Sequence, residues 1–195
     1  MKKEKSKRHI FLSNIPNMLT VARVVITFVI IYLIFTDSPL MDIVILFIIG
    51  ALTDFLDGTL ARKFGWTSEF GRKADMIADR FLLVGTVLAF VFAYGLEGRL
   101  DWLFGIQILF IMSRELISAP FAILAILSGK EIPHAVFIAK TTTFLQGFAI
   151  PFLILSLEYP ILIYLSVPLS IAIAIIGTIS GFTYISDIKK MDKKA

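Results

Sequence analysis

The sequence predicts an all-α polytopic membrane protein, six transmembrane helices preceded by a short N-terminal interfacial segment. Three observations predict it. Of 195 residues, 57% are hydrophobic and 17% charged, with a mean hydropathy of +0.87; that is too apolar for an ordinary soluble domain and too polar for a bare lipid anchor. The apolar residues fall into long runs separated by short polar connections. Lysine and arginine gather at both termini and in the connections after the second and fourth runs, while the other connections are mainly acidic. The positive-inside rule then places both termini in the cytoplasm. Six spans satisfy that arrangement and five do not.

Residues 1–13 carry Lys2, Lys3, Lys5, Lys7 and Arg8 ahead of Ile10, Phe11 and Leu12, a basic segment suited to the membrane surface. A signal peptide is rejected, because the following apolar run is long and has no small-residue cleavage site. A single membrane domain is expected over 14–188, followed by a basic cytoplasmic tail over 189–195 with Lys189, Lys190, Lys193 and Lys194.

The first span opens at Asn14, with Pro16 in the first turn where its missing N–H does no harm, and runs to about Phe35, enough to cross a hydrocarbon core of ~30 Å. Thr20 and Arg23 lie one turn apart near its cytoplasmic end. Arg23 either snorkels to lipid phosphates or faces a polar site; the neighbouring Thr20 favours the site, since an intramembrane charge usually has a partner. The second span covers about Met41 to Phe64 and the third about Gly71 to Tyr94. The fourth starts near Trp102 and holds Ser113, Arg114, Glu115 and Ser118 in mid-run. An Arg–Glu pair there reads as a structural lock, as a ligand arm, or as both, with Glu115 orienting Arg114. The fifth contains Lys140, Thr141, Thr142, Thr143 and Gln146, and a kink is expected at Pro151. The sixth covers about Pro160 to Ile185, where Gly177 and Gly181 have the small-xxx-small spacing of close helix packing.

The chemistry concentrates between Asp54 and Asp79. On a helix, residues three or four apart share a face, so Asp54 and Asp57 point together from the end of one span. Asp75 and Asp79 do so from the start of the next. A carboxylate beside hydrocarbon costs roughly 2.5–3.5 kcal/mol at the centre of a span and less near the interface, and four together repel one another. A hard cation is the simplest remedy, because Mg²⁺ and Mn²⁺ prefer carboxylate and phosphate oxygens. Two divalent ions balance four carboxylates and leave the site ready for a phosphate. The small residues Gly58, Ala61 and Gly71 let a flat or bulky group reach the backbone.

These residues form the pattern Asp-x2-Asp-Gly-x2-Ala-Arg-x8-Gly-x3-Asp-x3-Asp, with every fixed position that defines the CDP-alcohol phosphatidyltransferases. The sequence resembles that family. The resemblance implies a six-helix membrane enzyme, usually a homodimer, that displaces CMP from a CDP-linked lipid such as CDP-diacylglycerol with an alcohol. It implies that Asp54, Asp57 and Asp75 ligate metal, and that Asp79 acts as base on the acceptor hydroxyl and also as a ligand. It implies that Gly58, Ala61, Arg62 and Gly71, with Asp54, Asp57 and Asp75, hold the CDP moiety.

The acceptor is read from three cations in apolar spans. Arg23, Arg114 and Lys140 together suit a small phosphorylated alcohol. The opening Asn14-Ile-Pro-Asn17-x2-Thr20-x2-Arg23, Arg114-Glu115, Lys140-Thr141 and Ser180-Gly181 are similar to the phosphatidylglycerophosphate synthase branch, which joins a phosphatidyl group to glycerol 3-phosphate. By that resemblance Thr20, Arg23, Arg114 and Lys140 bind the acceptor phosphate. The chain departs from the branch in several places: Ala74-Asp75-Met76 replaces Leu-Asp-Pro, Arg80 replaces Lys, Ile138 replaces Gly, and a second basic residue after Arg114-Glu115 is missing. Inositol phosphate, phosphatidylglycerol (giving cardiolipin) and serine therefore stay open as acceptors.

Other classes fit less well. There is no cysteine for a disulfide or a thiol nucleophile. His9 and His134 lie far apart without soft neighbours, which argues against zinc. The net charge of +4 sits where anionic lipid is met, not where nucleic acid is bound. An ion-coupled transporter would carry its charges at the midplane on broken helices in repeated halves; here the acids cluster at one interface and no repeat is present.

Overall fold

The computed structural model describes residues 15–64, 69–127 and 137–192. Within these, the side chains at 15–17, 54–64, 69–73, 76, 122–123, 125–127, 137 and 189–192 lie outside the description. Among the described residues the elements are all helical: α1 (Ile15–Phe35), α2 (Leu40–Phe64), α3 (Glu69–Leu96), α4 (Trp102–Ile111), α5 (Ser113–Leu127), α6 (Phe137–Leu155), a 3₁₀ turn (Pro160–Leu162) and α7 (Ile163–Asp192). They fall into two compact units that part after Arg99.

In the first unit α1 packs along both α2 and α3. Its inward face carries Thr20, Arg23, Thr27, Ile30 and Ile34, all buried, at the spacing that keeps residues on one side of a helix. Its outward face carries Val21, Val25, Phe28, Tyr32 and Phe35, each more than half exposed. Large apolar residues outside and polar ones inside reverse the order of a water-soluble bundle. Hydrocarbon is the surrounding that suits such a face, so the chain is a membrane protein. Close approach inside the unit depends on small residues: a Cβ at Gly50 would meet Leu82 at 3.0 Å, and one at Gly85 would meet Thr27 at 3.4 Å.

α1 and α3 end in the same way. After α1, Ser38 N–H reaches the Leu33 carbonyl and Asp37 N–H the Ile34 carbonyl, with Asp37 at φ 51°. After α3, Arg99 N–H reaches Tyr94 O and Gly98 N–H reaches Gly95 O, with Gly98 at φ 69°. Both are left-handed C-terminal caps of the Schellman type; aspartate is one of the few residues with a side chain that tolerates that backbone. The two caps are joined. Asp37 Oδ1 accepts from Arg99 Nη1 at 2.7 Å and from the Tyr94 hydroxyl at 3.1 Å, and the Arg99 guanidinium lies 4.0 Å from the centre of the Tyr94 ring. The paired ends make α1 and α3 parallel, so α2 returns the chain between them.

In the second unit α7 packs against α4, α5 and α6. The core mixes Ile111, Ala149, Ile150, Leu153 and Ile173 with buried polar side chains: Gln107, Glu115, Thr142, Gln146, Ser166 and Ser170. α7 comes close to α5 at its glycines. A Cβ at Gly177 would fall 2.6 Å from Ser113 Oγ, and one at Gly181 would fall 2.8 Å from Ile117 Cγ2. The spacing of Gly177 and Gly181 thus serves tight packing.

One expectation changes. The fourth run is not one helix: α4 and α5 are bent by 48° about Met112. α6 takes Pro151 into its interior, where Ala149, Ile150, Leu153 and Ile154 are buried. Among the described residues, four helices are long and apolar enough to cross a membrane, five if the bent pair is one span. In α2 the apolar stretch Leu40–Thr53 is shorter, because the end of that helix is given over to the aspartate motif.

Candidate active site

Asp75 and Asp79 stand one turn apart in the first part of α3, continuous with the inward face formed by Ala78, Leu82 and Thr86. They point at α1. There Arg23, with no exposed surface, donates from Nη1 to Asp75 Oδ1 at 2.8 Å and to Asp79 Oδ1. The carboxylates keep about a third of their surface open, 32% and 30%. Arg23 therefore faces the aspartates and does not snorkel to the lipid surface. Its backbone carbonyl accepts from Thr27 Oγ1 at 2.9 Å, and Thr20 is buried one turn before it.

Two carboxylates that converge on one cationic nitrogen are disposed to share a cation. Hard oxygen donors in that arrangement fit Mg²⁺ or Mn²⁺. Asp54 and Asp57 lie on the backbone of α2 and Gly71 on that of α3; the side chains of Asp54, Asp57, Ala61 and Arg62, like the surroundings of Gly58 and Gly71, lie outside the described residues. Among the described residues, three or more His, Cys, Asp or Glu side chains nowhere meet as a metal cluster.

A model of the CDP-alcohol phosphatidyltransferase family matches residues 13–178 of this sequence. The chain belongs to the CDP-alcohol phosphatidyltransferase family. It is accordingly a transferase, and the family match takes in the motif from Asp54 to Asp79 together with Arg23, Arg114 and Lys140. Curated relatives agree. A protein of Rickettsia bellii (strain RML369-C) is 35% identical over 91% of this chain and 96% of its own length. One of Rickettsia felis (strain ATCC VR-1525 / URRWXCal2) is 33% identical over the same shares. One of Bacillus subtilis (strain 168) is 30% identical over 89% of this chain and 94% of its own. All three carry the name CDP-diacylglycerol--glycerol-3-phosphate 3-phosphatidyltransferase.

The remaining predicted residues of this phosphatidyltransferase lie in the second unit. Arg114 donates from Nη1 to Thr143 Oγ1 at 2.7 Å, and the same nitrogen lies 3.6 Å from Glu115 Oε1. Glu115 Oε2 accepts from Gln146 Nε2 at 2.7 Å. Lys140 is exposed on α6. The sequence singled out Thr143 and Gln146 only as part of a polar stripe. Their contacts with Arg114 and Glu115 join residues about thirty apart, which no local spacing reveals. The Asp37–Tyr94–Arg99 clasp was also missed; its only signal is an acid and a base in two connections that share one side of the predicted topology.

Proposed function

We propose that this phosphatidyltransferase moves a phosphatidyl group from CDP-diacylglycerol to glycerol 3-phosphate, releasing CMP and giving phosphatidylglycerophosphate, a step of phospholipid biosynthesis. The observation that carries the chemistry is the convergence of Asp75 and Asp79 on one cation in a buried polar face. The names of full-length relatives support the donor and the acceptor.

Asp54, Asp57, Asp75 and Asp79 would hold two Mg²⁺ or Mn²⁺ ions, whose charge would neutralise the pyrophosphate and the departing CMP. Gly58, Ala61, Arg62 and Gly71 line the CDP moiety. Asp79 takes the proton of the acceptor hydroxyl. The hydroxyl oxygen bonds to the lipid-side phosphorus, the pyrophosphate P–O bond breaks, and CMP leaves with the electron pair. Orientation and charge stabilisation supply most of the acceleration in such transfers. Thr20, Arg23, Arg114 and Lys140 recognise the acceptor phosphate, for which guanidinium forks are well shaped.

The parallel run of α1 and α3 supports counting α2 as a full crossing despite its short apolar stretch. With α4–α5 as one bent span, the domain over 14–188 then has six. Basic residues at 1–13 and 189–195 put both termini and the aspartates on the cytoplasmic side of the cell membrane. A homodimer follows from the family resemblance.

The test is CMP release by purified protein from CDP-diacylglycerol with Mg²⁺ and one acceptor at a time. Release with glycerol 3-phosphate alone is expected. Release only with inositol phosphate, phosphatidylglycerol or serine would move the enzyme to another branch of the family.

A further inference from the structure

The break between α4 and α5 contains neither proline nor glycine. Met112 N–H still reaches Ile108 O at 2.8 Å, and the helical ladder resumes with Leu116 N–H on Met112 O at 2.9 Å. Between them the Ile111 carbonyl accepts a side-chain donor, Gln146 Nε2, at 2.7 Å. The same amide nitrogen gives its other hydrogen to Glu115 Oε2 at 2.7 Å. One amide therefore bonds the last residue of α4 and the first turn of α5, the two sides of a 48° bend. Both partners are pure acceptors, so only the donor end of the amide can serve them. Gln146 is completely buried, and its Oε1 has no donor among the described residues. The fold thus accepts an orphaned oxygen to keep those two hydrogens in place.

Glu115 passes the constraint on. With Oε2 held by Gln146, its Oε1 faces Arg114 at 3.6 Å. The same nitrogen, Arg114 Nη1, donates to Thr143 Oγ1 at 2.7 Å, one helical turn before Gln146 on α6. Arg114 keeps 16% of its side chain exposed, as a group that receives a ligand must.

We infer that Gln146 is a positioning residue for acceptor recognition: its amide sets the α4–α5 bend and, through Glu115, aims the Arg114 guanidinium at the acceptor's phosphate. The inference rests on the reading of Arg114 as an acceptor-phosphate group. Gln146→Met keeps length and volume and removes both donors. It should raise the KM for glycerol 3-phosphate about tenfold, the worth of one hydrogen bond to a charged group, and leave the KM for CDP-diacylglycerol within about twofold. On an Arg114→Ala background it should add less than about twofold, because the two changes act on one group. Equal effects on both substrates, an unmoved acceptor KM, or a full tenfold added on Arg114→Ala would overturn the inference alone. An acceptor KM untouched by Arg114→Ala itself would overturn the acceptor reading, and the inference with it. If Gln146→Met does not fold, Glu115→Gln keeps the shape and cuts the charged link to Arg114; the same split between substrates is expected there, and its absence overturns the inference.

Discussion

Arg23 and Asp75 stand 52 residues apart in the chain and meet at 2.8 Å, guanidinium Nη1 to carboxylate Oδ1. With Asp79 on the same nitrogen, the pair joins the first and third helices at the end where the motif lies. A fully buried arginine needs such partners, and carboxylates beside hydrocarbon need such a cation.

Removing the cation should be felt in stability as well as in catalysis. Arg23→Met leaves two carboxylates facing an apolar side chain. The loss expected is about 2 kcal/mol, between that of an exposed pair and that of a fully buried one. Thermal unfolding in detergent measures it. Arg23→Lys should recover only part, because one nitrogen carries both bonds but the lysine arm is shorter and does not bring its ammonium to the place of Nη1. Full recovery by lysine would mean that only charge matters there.

Asp75→Asn keeps the shape and removes one charge from the site. Turnover should fall by about 100-fold to 1,000-fold, the scale of losing one preorganised electrostatic group, while the helical circular dichroism is retained. Near-normal turnover would sink the reading of Asp75 as a metal ligand.

The aspartate motif and the inward face of α1 were legible in the sequence for a simple reason. Each rests on spacing within a single helix: Thr20 to Arg23 on α1, and Asp75 to Asp79 on α3. The direction of Arg23 followed because a charge in a span seldom stays alone. The bend at Met112 was not legible, since what holds it is Gln146, which bonds the Ile111 carbonyl from 35 residues further on. Nor does a proline mark the break: Pro151 lies within α6, and the break itself has no proline in it. The clasp between Asp37 and Arg99 was hidden likewise, 62 residues apart. The motif placed its aspartates by number, and only the fold paired two of them with Arg23.

Helix packing in the second unit makes a separate prediction. Gly177→Ala puts a methyl group 2.6 Å from Ser113 Oγ and should destabilise by about 1–3 kcal/mol. Ser113→Ala removes that oxygen, and the next contacts lie at 3.4 Å, on Arg114. The double variant should therefore be more stable than Gly177→Ala alone, a non-additivity that thermal melts of the four proteins would read. Strict additivity would place the strain elsewhere.

The clasp on the opposite side of the first unit predicts a pH dependence. The hydrogen bond from Arg99, then that from Tyr94, holds the Asp37 carboxyl below its ordinary value. A carboxyl lowered on folding stabilises fully above its unfolded pKa of about 3.9. That contribution is lost as pH falls through the lower folded value. The melting temperature should thus drop below about pH 4, and part of the drop should vanish in Arg99→Ala. An unchanged acid slope in Arg99→Ala would show that other carboxylates carry it.

The most direct measurement is the lipid product itself. The purified protein is incubated in detergent with CDP-diacylglycerol, Mg²⁺ and glycerol 3-phosphate, with Asp79→Asn as the blank. The extracted lipids are weighed by mass spectrometry and the CMP is counted. Phosphatidylglycerophosphate and CMP are expected in equal amounts, and neither from the blank. CMP without the new lipid, or equal product from Asp79→Asn, would contradict the proposed transfer.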